Sequence, residues 1–207
     1  MAPFVGALLG VQPLDLVTFG GAPSVLGTLL PGVPLGTDNG RTLVWIILAT
    51  LPLQALAAVP VVWLEEWGWR GYLLPCLLPL GPWRALLGTG AVWGLWHVPA
   101  VLAGLNYPGQ PLLGSIAIII GSIVWGVLLG WTRLASGSVW PAVLGHAALN
   151  TAAVVPLLLA PAHAPPNPVL VGVSGLTGWI LPVVVTLLLI AVGQLPRPGW
   201  LIVRRTQ

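Results

Sequence analysis

Long apolar stretches separated by short polar or Pro/Gly-rich breaks set the pattern of this chain. Residues 42–64 form the first continuous apolar stretch, and its helical character runs on to about Leu74, where Pro75, Pro79 and Gly81-Pro82 interrupt it. Further apolar stretches cover 84–103, 112–132, 139–159 and 176–195. Each is near the 20 residues a helix needs to cross a hydrocarbon core. Prolines 52, 60 and 99 fall inside these stretches, where neighbouring helices can satisfy the freed carbonyls. Strict apolar/polar alternation is missing, so an outer-membrane barrel does not fit. The pattern predicts an all-α, polytopic transmembrane helical bundle of about five spanning helices.

The first 36 residues are apolar but broken by Pro3, Pro13, Pro23, Pro31 and Pro34, so no clean run is long enough to span. They read as a short N-terminal interfacial or re-entrant segment, closed by the polar loop Thr37-Asp38-Asn39-Gly40-Arg41. The opening MAPFVGALLGVQ lacks a basic n-region, so no cleavable signal peptide is expected. The division is therefore 1–41 for this segment and loop, 42–196 for the membrane domain and 197–207 for a basic tail. In the third span Ser122, Gly126 and Gly130 repeat every four residues, a seam along which another helix can approach closely.

Composition sharpens the picture. Of 207 residues, 57% are hydrophobic and 5% charged, against about 25% charged in soluble domains. The chain is an integral membrane protein, with membrane lipids as its surroundings. Its +3 charge comes from arginines scattered over loops and ends, which excludes a nucleic-acid patch. With five alternating spans, Arg84, Arg133, Arg197, Arg204 and Arg205 fall on one side and Arg41 on the other. The positive-inside rule makes the first side cytoplasmic, giving a multi-pass cell-membrane protein with its C-terminus in the cytoplasm. Cys76 is the only cysteine, so no internal disulfide can form.

Three polar clusters interrupt the apolar stretches. The first is LEEWGWRGYLL, which holds Glu65, Glu66 and Arg70. On a helix Glu66 and Arg70 share a face in the favourable order, acid before base, and Glu65 points about 100° away. That leaves one paired carboxylate and one free for chemistry. The second cluster, VWGLWHVPA, places His97 four residues after Trp93, and the third, VWPAVLGHAALNTA, places Asn150 four after His146. Buried polar groups are costly alone and are satisfied if the three clusters meet. Counting residues from the arginine-rich side puts His146 about 10 Å deep and His97 about 20 Å deep, a site in the cytoplasmic half. A carboxylate in a dry site can act as general base and then acid. A His and an Asn amide can donate to a developing oxyanion. These are the parts for amide hydrolysis without a covalent intermediate. G-x-S-x-G and HExxH are both absent.

Glu65-Glu66-x-x-x-Arg70, Trp93 ahead of His97, and His146-x-x-x-Asn150, in that order, resemble the motifs of the CPBP family, the CAAX-processing and bacteriocin-processing intramembrane proteases also called the Abi family. The resemblance covers about residues 60–155 and is greatest in EEWGWRGYLLP and VWGLWHVPA. It implies a helical, glutamate-dependent endopeptidase opening toward the cytoplasm. Its substrate would be a peptide or lipid-modified protein in the membrane. It further implies that Glu65 activates the water, His97 positions it, His146 and Asn150 form the oxyanion hole, and Glu66 with Arg70 braces the site. No cofactor and no metal site is expected. Trp93 stands where the family often has Phe, and the N-terminus is shorter than the family's usual set of spans. Two other readings stay open: a non-proteolytic membrane scaffold or bacteriocin-immunity protein of the same family, and a metal-dependent hydrolase using His97, His146 and a glutamate, whose ligand types suit zinc.

Overall fold

The computed structural model describes residues 2–196, and among these it is helical, with no strand. In chain order the helices are α1 (Ala2–Leu8), α2 (Ala22–Leu29), α3 (Arg41–Glu66), α4 (Leu74–Leu77), α5 (Pro82–Leu102), α6 (Pro111–Ser136), α7 (Trp140–Ala152), α8 (Val155–Leu158) and α9 (Leu176–Ala191). A π-helical segment, Trp67–Leu73, joins α3 to α4. Four helical runs are long and apolar enough to cross a membrane: 41–80, 82–102, 111–136 and 140–158. The fifth, α9, has 16 residues, about 24 Å of helix, one turn less than a hydrocarbon core of about 30 Å. It stops at Ala191 because Gly193 takes φ +67°. The Gly193 and Gln194 N–H groups then cap Ile190 and Leu189 at 3.0 and 2.8 Å, a Schellman ending.

Packing orients the helices. Leu74, Leu78, Ala85, Leu86, Val127 and Leu195 cluster at one end of the bundle, and Phe19, Ala22, Leu26, Val44, Leu158 and Leu159 at the other. So α3, α6 and α9 run one way and α5 and α7 the other. Arg84, at the start of α5, and Arg133, in the last turn of α6, share the first end; we call it the arginine face. The opposite, connector face carries Arg41, Asp38 and the 103–110 and 159–175 connections. The described chain leaves at Pro196 beside the arginine-face cluster. Arg197, Arg204 and Arg205 lie outside the described residues.

The tightest seam joins α5 to α6. A Cβ on Gly90 would stand 2.7 Å from the Ile123 Cα, and one on Gly94 2.6 Å from the Ile119 Cα. Opposite them, a Cβ on Gly126 would stand 3.0 Å from the Gly90 Cα. Small residues on both helices thus bring the backbones together. The α6 half of this seam is the Ser122/Gly126/Gly130 repeat; its α5 half, Gly90 and Gly94, goes unremarked in the sequence reading. In contrast, α3 shows Leu53, Leu56, Val61 and Leu64 outward, a surface suited to lipid.

The first 36 residues fold back over the connector face. The Asp15 carboxylate accepts N–H bonds from Val17, Thr18 and Gly20 and the Thr18 hydroxyl, which makes a tight turn between α1 and α2. These bonds, the Thr18 hydroxyl first, hold the Asp15 carboxyl well below the usual carboxylate range. Three bonds dock the segment on the chain after α7: Gln12 Nε2 to the Pro156 carbonyl at 2.9 Å, and the Asp15 and Gly21 N–H groups to the Leu159 and Ala160 carbonyls at 2.8 and 2.9 Å. Pro156 also explains why the fourth stretch is two helices, since its ring nitrogen cannot donate to the preceding turn.

Candidate active site

The site is built on three helices. Glu66 ends α3 and is fully buried, and the π-helical segment that follows holds Arg70, also fully buried. π-helical turns recur at functional sites. Arg70 NH1 lies 2.6 Å from Glu66 Oε1, and His146 Nδ1, from α7, lies 2.9 Å from the same oxygen. Glu66 thus holds a cation on one side and an imidazole on the other. Trp93, on α5, closes this knot. Its ring sits 4.6 Å below the Arg70 guanidinium carbon, 4.9 Å from the His146 ring and 5.6 Å from that of His97. A guanidinium over an indole face is a favourable cation–π contact. Gly126 leaves room for the guanidinium, since a Cβ there would lie 3.4 Å from Arg70 NH2.

These contacts fix proton positions. Where His146 Nδ1 carries the ring proton it donates to Glu66 Oε1, and Nε2 of the neutral ring is then an acceptor. His97 Nδ1 lies 2.9 Å from the Trp93 carbonyl and so donates to it. In neutral His97 this leaves Nε2 as an acceptor.

Glu65 is half-buried and makes no side-chain hydrogen bond; its Oε2 is enclosed and unpartnered. One helical turn on, the Trp69 ring lies 6.0 Å from that of Trp96, which in turn lies 4.9 Å from the His97 ring. The π-helical segment that follows Glu65 therefore packs beside the His97 turn of α5.

A cavity of about 980 Å³ meets this cluster, with Trp93, His97, His146 and Asn150 in its lining. Glu65 is not among the lining residues. Asn150 is exposed and its side chain makes no hydrogen bond; it stands at the wall. His163 is exposed in the 159–175 connection and outside the lining. The sequence reading missed the rest of the wall. Ser24, Val25, Thr28 and Leu29 come from α2, Gly104–Pro108 from the connection after α5, and Pro166, Pro168 and 171–174 from the connection before α9. No polar signal marks the α2 residues; docking of the N-terminal segment on the chain after α7 brings them there.

Counted from the arginine face, His97 lies fifteen residues into α5 and His146 six into α7, close to the depths counted from the sequence. His97 lies five residues before Leu102, the connector-face end of α5, about 7.5 Å of helix. Asn150 is two residues from the end of α7, and His146 is midway along it. The connector-side loops in the cavity wall place it toward the connector face, not in the arginine half. Among the described residues, no three His, Cys, Asp or Glu side chains converge as a metal site would require.

No curated protein and no solved structure gives a significant match to the chain. A family model does: that of type II CAAX prenyl endopeptidase Rce1-like proteins, over residues 41–152. The match covers more than half of the chain and spans every motif residue from Glu65 to Asn150. With its apolar helical spans, the chain is a membrane protein of the type II CAAX prenyl endopeptidase Rce1-like family.

Proposed function

We propose that this chain is an intramembrane endopeptidase that hydrolyses a peptide bond of a membrane-associated protein with glutamate-activated water. The observation that carries this reading is the convergence of His97, His146 and Asn150 on one cavity, with His146 held by a buried Glu66–Arg70 pair. In this reading a water lies between Glu65 and His97. Glu65, whose enclosed Oε2 makes no hydrogen bond, takes its proton as general base, and the His97 Nε2 lone pair accepts its second O–H. The hydroxide attacks the scissile carbonyl. Asn150 and the protonated His146 donate to the oxyanion. Glu65 then returns its proton to the leaving amine. Glu66 holds His146 in place for this step, and Arg70 pairs with Glu66. The C-terminus is assigned to the cytoplasm, on the side of Arg84 and Arg133, and residues 42–196 are the catalytic unit.

The test is comparative membrane proteomics of cells carrying the wild-type chain or Glu65→Gln. New protein termini that vanish in Glu65→Gln support the reading. Identical termini in both strains contradict it and favour a scaffold. Loss of cleavage in chelator would point to the metal-dependent alternative.

A further inference from the structure

We infer that Ser122 is a substrate-positioning residue of the cavity, its hydroxyl hydrogen-bonding the main chain of the substrate beside the scissile peptide bond. This rests on the peptidase reading and names how that site holds its substrate. Ser122 heads the Ser122/Gly126/Gly130 repeat of α6. Across the seam it meets Gly94 of α5, where an added Cβ would stand 3.2 Å from the Ser122 Cβ. Close approach of the helices is met by glycine at 126 and 130. The hydroxyl at 122 is surplus to that task.

The cavity wall takes Ile118, Gly121, Ser122 and Trp125 from α6. At about 100° per residue these four share one face of the helix. Ser122 lies on the edge of that face nearer to Gly126, where the α5–α6 seam opens into the cavity. Its neighbour Gly94 follows Trp93 directly and precedes His97 by three residues. The edge therefore adjoins the turn of α5 that carries both.

The other hydroxyls of α6 are spent inside the helix. Ser115 donates to the Pro111 carbonyl at 2.7 Å, Thr132 to that of Leu129 at 2.8 Å and Ser136 to that of Thr132 at 2.7 Å. Ser122 is only 4% exposed and makes no side-chain hydrogen bond among the described residues. Trp125, beside it on the wall, has committed its indole N–H to the Val173 carbonyl at 2.7 Å. Ile118 and Gly121 bring no polar side chain. Ser122 is thus the uncommitted polar group of the α6 wall, facing His97 from α5 and His146 and Asn150 from α7 around one cavity. A buried hydroxyl without a partner is costly. Water serves such a group until a substrate displaces it, and the substrate must then replace the bond or lose affinity. A peptide main chain can do so, since it offers a C=O, and almost always an N–H, at every residue, and a hydroxyl pairs with either.

The experiment uses the full chain in detergent and a synthetic peptide spanning a terminus that depends on the wild-type chain in the membrane proteome. Ser122→Ala removes the hydroxyl and keeps the Cβ that packs on Gly94. The unfolding midpoint should stay at the wild-type value, with kcat little changed and KM raised about 2- to 10-fold, the worth of one neutral hydrogen bond. Coupling is then read with peptides in which one peptide bond flanking the cut, on either side in turn, is replaced by an ester. The ester removes the N–H and weakens the carbonyl as an acceptor. At one position it should cost the wild type about 2- to 10-fold in kcat/KM and cost Ser122→Ala nothing further. An unchanged KM in Ser122→Ala overturns the inference, as do ester losses equal in both proteins at every position. If Ser122→Ala unfolds early, Ser122→Gly, matching Gly126 and Gly130, goes through the same ester series with the same two outcomes. No cleavage of the peptide by the wild type would sink the peptidase reading instead. Binding of the peptide to Glu65→Gln, with and without Ser122→Ala, then decides the inference: weaker binding with Ser122→Ala supports it, and equal or absent binding overturns it.

Discussion

The buried knot and the cavity rim meet at His146 but are made by opposite means. The knot is Glu66, Arg70, Trp93 and His146, closed from water, each held by another within 5 Å. The rim is the exposed Ser24, Thr28 and Leu29 of α2 with Gly104, Leu105 and Asn106 after α5, short polar groups and aliphatic edges. A change in the knot should disturb folding and chemistry together, because an unpaired buried charge is expensive. A change in the rim should disturb substrate affinity alone, because its side chains already face the opening. The difference teaches which side chains set the reaction and which set what is cut.

The largest effect should follow Glu66→Gln. It leaves Arg70 buried without its counter-ion, a loss of about 3–5 kcal/mol in comparable pairs. Thermal unfolding in detergent should show a strongly lowered midpoint, with activity lost as well. A well-folded, fully active Glu66→Gln would break the comparison at its base. Next comes Asn150→Ala, at the boundary. Its side chain is exposed and unbonded, so the unfolding midpoint should hold while kcat falls about 10²- to 10³-fold. Combined with His146→Ala the loss should be far less than additive, since both serve one intermediate.

How much of this was legible in the sequence follows the same division. Glu65, Glu66, Arg70, His97, His146 and Asn150 stand out because ionisable and amide groups are rare in so apolar a chain. Four of the helical spans were equally plain from hydropathy. The Glu66–His146 bond was not, because it joins residues 80 apart in sequence and no local spacing predicts it. Nor was the π-helical segment, whose WGWRGYL reads as ordinary helix. Ser24, Thr28 and Leu29 look like any polar-apolar turn of a short helix. Their place at the cavity depends on Asp15 and Gln12 docking the segment on the chain after α7.

Smaller effects sharpen the rim side. Leu29→Ala should raise KM with kcat and unfolding midpoint little changed, read from steady-state kinetics in detergent. A fall in kcat instead would place α2 within the reaction itself. Smaller still is Asp38→Ala at the start of α3. Bonds from Thr42, its hydroxyl first, hold the Asp38 carboxyl below its usual value. The stabilisation is thus present above the unfolded pKa of about 3.9 and is lost as pH falls through the lower folded value. The variant should unfold slightly earlier than wild type at neutral pH, and the difference should vanish in strong acid. His163→Ala, exposed and away from the cavity, should change neither quantity.

The account turns on the two adjacent glutamates having different duties, and hydrolysis by purified Glu65→Gln tests that most directly. Glu65 is half-buried without a hydrogen bond, whereas Glu66 is locked between Arg70 and His146. Rates would be measured on protein that elutes as a single folded species, against a peptide the wild type cleaves. The account predicts normal folding with a rate lowered by about 10² or more. Wild-type rates in Glu65→Gln would contradict it.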